Sequence, residues 1–480
     1  MAINFPKNAA TGTSFTVPEY GQTYVWDGAS WLSDGVVASG GGGGTVVAGV
    51  DRIVAGSGVI VSPSTGSGVV TVSAATGGGS GGAYPGGDAR LIDDLYTGSW
   101  ANAMIEAGRQ GGTWVFPVRE YVITKPVVIT ADGTKFVSGV AGDKPKFTFD
   151  FGTQSAQSAN GVTQNHVAGL WAAAKFRVTG IYFQWAGSRI DTHKNDCLVL
   201  FQKGNTSQGQ RDDMDSSIDN CTFSNARCNQ GTAGAGCITY YGRNMRVTGC
   251  TFSSGGGSGD MRAISLSYAS NPDDVADGQT ISTAGWRKNI VSNNTFHMTK
   301  DAICLEVFQG TGAPSGICYG LVVSDNTNDV GGSLLRVSNG AGLVAAAISG
   351  NACIRSSGKP YIQVLSGGTF NHSSIAGNAF GSADANKNNE ADGVTFESGS
   401  TTGHVTITGN SFGAPENGCI RLLNAADRVA VVGNTFAQLH GSGSTAIETS
   451  GGRGTFTGNV SSMSTFHSGS GTWTSTGNDT

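Results

Sequence analysis

Glu306 is the residue of this chain whose surroundings best suit chemistry on a sugar. It ends the run AICLE that starts at Ala302, and that run aligns with CLVLF from Cys197, CITYY from Cys237 and AISLS from Ala263. The alignment puts Phe201, Tyr241, Ser267 and Glu306 at one position of successive segments, with Tyr240 and Tyr268 nearby and Phe308 two residues on. Aromatic faces beside an acid can stack on a sugar ring and transfer a proton to it. Hydrolysis of a glycosidic bond needs two carboxyls, roughly 5 to 5.5 Å apart for retention or 6.5 to 9.5 Å for inversion. Asp301, five residues before Glu306, and Asp273 and Asp274, in a long polar stretch, are the other candidates for acid and base. Solvated surface charge is the simpler account of these acids, and Arg262, at the aligned position of Asp301, offers that residue a plain salt bridge. Without cleavage, Tyr240, Tyr241, Tyr268 and Phe308 would form a glycan-binding face.

Those segments must be held by something periodic, and the chain supplies it. A branched apolar pair, Gly-Asn, a small residue and Phe recur as VTITGNSF from Val405, VAVVGNTF from Val429 and SSIAGNAF from Ser373, with the variant IVSNNTF from Ile290. The Asn recurs at 294, 326, 351, 378, 410, 434, 459 and 478, in steps of 32, 25, 27, 32, 24, 25 and 19 residues. A period of that size marks a solenoid, and strands of Val, Ile, Thr and Phe joined at tight turns make it a parallel β-helix. Each coil has at least two strands, stacked on the next at about 4.8 Å. An Asn at such a turn tolerates a left-handed backbone, and its amide can donate and accept from coil to coil. The column is therefore structural. Loops at 186–196, 203–215, 267–288 and 307–316 interrupt the coils and could wall a groove.

Composition limits the remaining readings. Gly is 76 of 480 residues, 13% are charged, and the formal charge of -5 includes no block of Lys or Arg to track a phosphate backbone. Nucleic acid is not an expected partner. No stretch reaches the roughly 18 apolar residues of a membrane span, and the N-terminus lacks a basic start with an apolar run, so folding in a cytosol is expected. The nine cysteines fall into two register columns, Cys221 and Cys250 where Asn294 stands later, and Cys197, Cys237 and Cys419 where Ala263 and Ala302 stand. Small buried residues explain them better than zinc, since no Cys/His spacing fits. Asp212, Asp213 and Asp215 lack the closing Glu of a Ca²⁺ loop, so neither a metal nor another cofactor is expected.

The N-terminal part differs in kind. Tyr24, Trp26 and Trp31 flank an Asp27-Gly28 hairpin turn in residues 1–39, a small docking module. Residues 40–87 hold two Gly-rich joints around two alternating β segments, too short to fold alone and suited to oligomerisation. Residues 88–480 carry the repeats, opened by a helix that Ser99 caps, with Trp100, Met104 and Ala107 along one face and Gly111-Gly112 at its end. Such a helix covers the open edge of a first coil.

The opening segment DDLYTGSWANAMIEAGRQGGTWVFPVREYVIT, with the repeats, resembles the pectate-lyase-like right-handed β-helix superfamily, where a capping helix leads into a Gly-Gly-x-Val-x-x-Pro-x-Gly-x-Tyr strand. It departs from that pattern at Trp114 and Arg119. The first 75 residues resemble attachment segments of phage tail fibres and tailspikes. The pairing implies a homotrimeric tailspike made in the host cytoplasm and carried on the virion tail. Residues 1–39 would join other tail proteins, and the β-helix would bind, and as an endo-acting hydrolase or lyase cleave, a host surface polysaccharide. A secreted lyase or hydrolase of the same superfamily, unattached to a virion, is the alternative.

Overall fold

The computed structural model describes residues 10–11, 13–17, 22–26, 31–34, 59–62, 71–74, 89–151, 157–159, 162–164, 168–186, 197–201, 215–224, 236–240, 244–253, 262–269, 286–297, 301–308, 316–329, 332–355, 359–381, 392–413, 418–437 and 445–479. The chain divides into two compact units, Met1–Ser80 and Gly81–Thr480. In the first, Ser14–Val17, Gln22–Trp26 and Trp31–Asp34 form an antiparallel sheet in which Trp26 pairs with Trp31 across the expected hairpin. Val59–Ser62 pairs antiparallel with Thr71–Ala74, as the alternating patterns foretold.

The second unit is a right-handed parallel β-helix, the hand that parallel crossovers take. Each regular coil has a leading strand such as Ser374–Ala376, a middle strand such as Ala379–Phe380 and a closing strand such as Val394–Phe396, and from Trp286 onward a short fourth strand such as Thr369–Asn371 lies ahead of the leading one. The motif read as one strand is thus two, bent at the Asn. Every strand pairs with its equivalent one coil away, so side chains stack in columns. On the closing strands, Leu170, Val199, Ile238, Ile264, Ile303, Leu335, Ile362, Val394, Ile420 and Ile447 form one fully buried column. At about 1.5–3 kcal/mol for each such side chain, this column drives the stacking. The middle strands stack Phe183, Phe223, Phe252 and Phe296 with centroids 4.9–5.1 Å apart, and Phe380, Phe412 and Phe436 at 5.1–5.2 Å. Asn328 and Cys353 interrupt the aromatic column.

The turn column is a continuous amide ladder. Asn351 Nδ2 donates to Asn378 Oδ1 (2.9 Å) and to the Val323 carbonyl (3.0 Å), and Asn378 Oδ1 also takes the Asn351 backbone N–H (3.0 Å). The pattern runs from Asn294 to Asn478. The left-handed residue is the one before the ladder Asn: Gly409 has φ 61° and Asn293 φ 55°. The ladder residue keeps an ordinary backbone because its amide, rather than its conformational tolerance, is what the turn uses. At the N-terminal end the ladder gives way to thiols: Cys221 N–H approaches Cys250 Sγ (3.4 Å), and Cys250 N–H donates to Asn294 Oδ1 (2.9 Å).

The helix α1, Trp100–Gln110, starts at Ser99, whose hydroxyl accepts from Asn102 N–H (3.4 Å), and stops at Gly111. It lies so close to the first coil that a Cβ on Gly108 would sit 2.6 Å from Ile129 Cδ1. Both departures from the superfamily pattern serve this cap. Trp114 is buried, donates Nε1–H to the Gly111 carbonyl (2.9 Å) and carries the Arg90 guanidinium 4.0 Å above its ring. Arg119 pairs with Asp93 and lies 4.5 Å above Trp100 and 5.1 Å above Tyr121.

Candidate functional site

The coils around Glu306 have longer closing strands than the three coils that follow them. Closing strands are three residues long at Leu335–Val337, Ile362–Val364 and Val394–Phe396, but Arg262–Ala269 has eight and Ile303–Phe308 six. The extra residues pair Ser267 with Glu306, Tyr268 with Val307 and Ala269 with Phe308. The loops expected from Ser267 and Val307 therefore begin two to three residues later, and two adjacent coils present an extended edge, about 4.8 Å apart, at the position of Glu306. At Glu306, Tyr268 and Phe308 the backbone is described; Tyr241, Asp273 and Asp274 lie outside the described residues.

The aromatic register needs one correction. Phe201 pairs with Tyr240, not Tyr241, and the column continues through Leu266 and Leu305. A slip of one residue exchanges the two faces of a strand, and Phe201, Tyr240 and Leu266 of this column are buried. Tyr240 is fully buried, its ring 5.7 Å from that of Phe201, so it is a core residue and not part of a glycan face. Cys197 is displaced in the same way: it aligns with Gly236 and packs with Trp171 and Leu200, while Leu198 occupies the Cys237 column.

Asp301 has a structural task. It is 7% exposed; Oδ1 accepts from Ser333 N–H (2.9 Å) and Oδ2 from Arg336 Nη1 (3.2 Å). Its ion pair is with this arginine of the following coil and not with Arg262. Three coils on, Asp392 repeats the arrangement, with Oδ1 on Gly418 N–H (3.3 Å) and Oδ2 on Arg421 Nη1 (2.9 Å), while Arg421 Nε reaches Glu448 (2.7 Å). In both cases the carboxylate takes the backbone N–H at its own register in the next coil and the arginine three residues beyond it. The geometry is that of a staple between coils.

Seven described cysteines are buried. Burial pushes the Cys318 thiol up to about 12 and raises Cys237, Cys250, Cys353 and Cys419 as well, so these five are not poised as thiolates near neutral pH. Among the described residues, no cluster of His, Cys, Asp and Glu could hold a metal ion.

A feature missed in the sequence lies on the leading strands. Lys135, Arg177, Ser217, Arg246 and Ile290 occupy one register in five successive coils, and with Lys288 and Asp219 they line a concavity of about 670 Å³. The four cations are scattered from position 135 to position 288, and the coil register alone brings them together.

No family model matches the sequence, and no curated protein matches it. Among solved structures, the chain is similar to PfbA, a surface adhesin of Streptococcus pneumoniae (13% identity, TM-score 0.37, covering 82% of this chain and 91% of that one). It is also similar to tailspike protein 3 of bacteriophage CBA120 (11% identity, TM-score 0.37, 81% and 61%) and to the Dettilon tailspike (12%, TM-score 0.40, 81% and 68%). The chain thus spans about three fifths of the length of the CBA120 protein.

Proposed function

We propose that this chain is a virion tailspike whose β-helix recognises a host surface polysaccharide along the closing-strand flank. The observation that carries this reading is the lengthening of strands Arg262–Ala269 and Ile303–Phe308, which continues two adjacent coils through the pairs Ser267–Glu306 and Ala269–Phe308 and so puts Glu306 and Phe308 at alternate positions on one strand face. A saccharide lying along the axis would cross them both. Glu306 is the proposed general acid of an endo-acting cleavage, with Asp273 or Asp274 as its partner; Asp301, already held by Ser333 and Arg336, stays a staple. Tyr241 and Phe308 are the proposed stacking residues, while Tyr268, paired with Val307, alternates to the strand face opposite Glu306. If no cleavage occurs, the same flank serves as a receptor-binding surface. Residues 1–39 would hold the tail, and residues 40–87 would gather three copies.

Incubation of the purified protein with host-envelope polysaccharide, followed by size-exclusion chromatography and mass spectrometry of the glycan, tests this. Shortened products that vanish in Glu306→Gln are the expected result; intact glycan that co-elutes with the protein selects the receptor-binding form, and glycan that neither shortens nor co-elutes rejects both. Light scattering tests the assembly: deletion of residues 46–74 should dissociate the trimer, and deletion of residues 1–35 should not.

A further inference from the structure

The basic concavity on the leading strands has no structural task that accounts for it. Arg177 pairs with Asp215 (3.0 Å), and the Asp219 carboxylate is occupied by the hydroxyls of Ser217 (2.7 Å) and Thr248. Lys135, Arg246 and Lys288 are exposed and, among the described residues, have no side-chain partner. Their side chains converge on one depression without a carboxylate for each, an arrangement that costs mutual repulsion and that a bound anion would relieve.

The geometry also sets the shape of that anion. From Lys135 to Ile290 the lining residues span five rungs, about 19 Å at the strand spacing of a sheet, so a single small ion would engage only part of it. Successive rungs repeat at a distance close to the length of one sugar unit. Thr179 and Ser217 offer hydroxyls and Ile290 an apolar patch, while among the described residues no aromatic ring lines the concavity on which a nucleobase could stack. The surface is built on paired strands, so little ordering is needed on binding.

We propose that this flank is a second glycan site, specific for an extended carboxylate-bearing polysaccharide laid along the solenoid axis over Lys135, Arg177, Arg246 and Lys288. It lies on a different ladder from Glu306 and stands whether or not Glu306 cleaves anything. Because the whole chain carries a formal charge of -5, attraction is local and fades with salt.

The test uses the full chain and a fluorescent oligogalacturonate, read by anisotropy, with neutral dextran oligomers as the comparison. Oligogalacturonate should bind and dextran should not, and binding should fall steeply at about 0.3 M salt. The double variant Arg246→Ser/Lys288→Ser should weaken binding about tenfold or more, whereas Lys125→Ser, an exposed lysine off the concavity, should leave it unchanged. In the wild-type chain the same ligand should shield Lys135 and Lys288, but not Lys125, from acetylation, a readout that needs no variant to fold. Absence of binding, equal losses in the double variant and Lys125→Ser, or no shielding would overturn the proposal. Equal affinity for a single-stranded oligonucleotide of the same charge would overturn the assignment to a glycan. Glu306→Gln should not change this binding, so failure here is distinct from failure of the cleavage reading.

Discussion

Two sets of cationic side chains, one on the closing strands and one in the leading-strand concavity, meet opposite fates. On the closing strands, Arg336 and Arg421 are held by Asp301 and Asp392 of the preceding coils, and Glu448 adds a third coil to the second pair. On the leading strands near the N-terminal end, Lys135, Arg246 and Lys288 stand together in solvent without carboxylate partners among the described residues. Same-register stacking produces both outcomes, since it brings equivalent positions of every coil together whatever they carry. A charge that finds its complement one coil away fastens the coils, whereas a set of like charges cannot fasten anything. The difference separates side chains that hold the fold from side chains available to a ligand. The Asn ladder is the neutral limit of the first kind, each amide bonded to the next coil and to a backbone carbonyl.

The comparison can be broken most severely at the ladder. Asn378→Ala removes the acceptor for both the Asn351 backbone N–H and its Nδ2, leaving buried donors unpaired. It should cost about 3 kcal/mol in urea denaturation. Asp392→Ala strands the partly buried Arg421 and the Gly418 N–H and should cost about 2–3 kcal/mol, with Asp301→Ala close behind. A gain is expected at Asn328, whose fully buried amide makes no hydrogen bond of good geometry and has the weakly polar Cys353 thiol beside it in the column. Asn328→Leu should raise stability by about 1 kcal/mol in the same assay. The smallest effect belongs to the concavity, where Arg246→Ser/Lys288→Ser should change stability by less than about 0.5 kcal/mol.

Much of this architecture is legible in the sequence, because a residue that repeats with the coil period must stack on its equivalents. The Gly-Asn-x-Phe motif reveals the ladder, the aromatic column and the register of Cys221 and Cys250. Long segments between strands erase that legibility. Across residues 202–235 the motif leaves the choice between Tyr240 and Tyr241 to a single position, and that position decides whether a ring points into the core or away from it. Asp301 misleads for a related reason. Arg262 shares its register, but the ion pair forms with Arg336, which lies in the following coil and three residues further along the strand. The basic concavity is the least legible of all. Its cations sit tens of residues apart in a chain of net negative charge, and neither a local pattern nor a composition records that they share one face.

The measurement that bears most directly on the division between fastening and available charges is the urea midpoint of Arg246→Ser/Lys288→Ser beside that of the wild-type chain. An unchanged or slightly raised midpoint is expected, since two like charges are removed and no described bond is lost. A fall as large as that of Asp392→Ala would mean that these cations fasten the coils and would contradict the account.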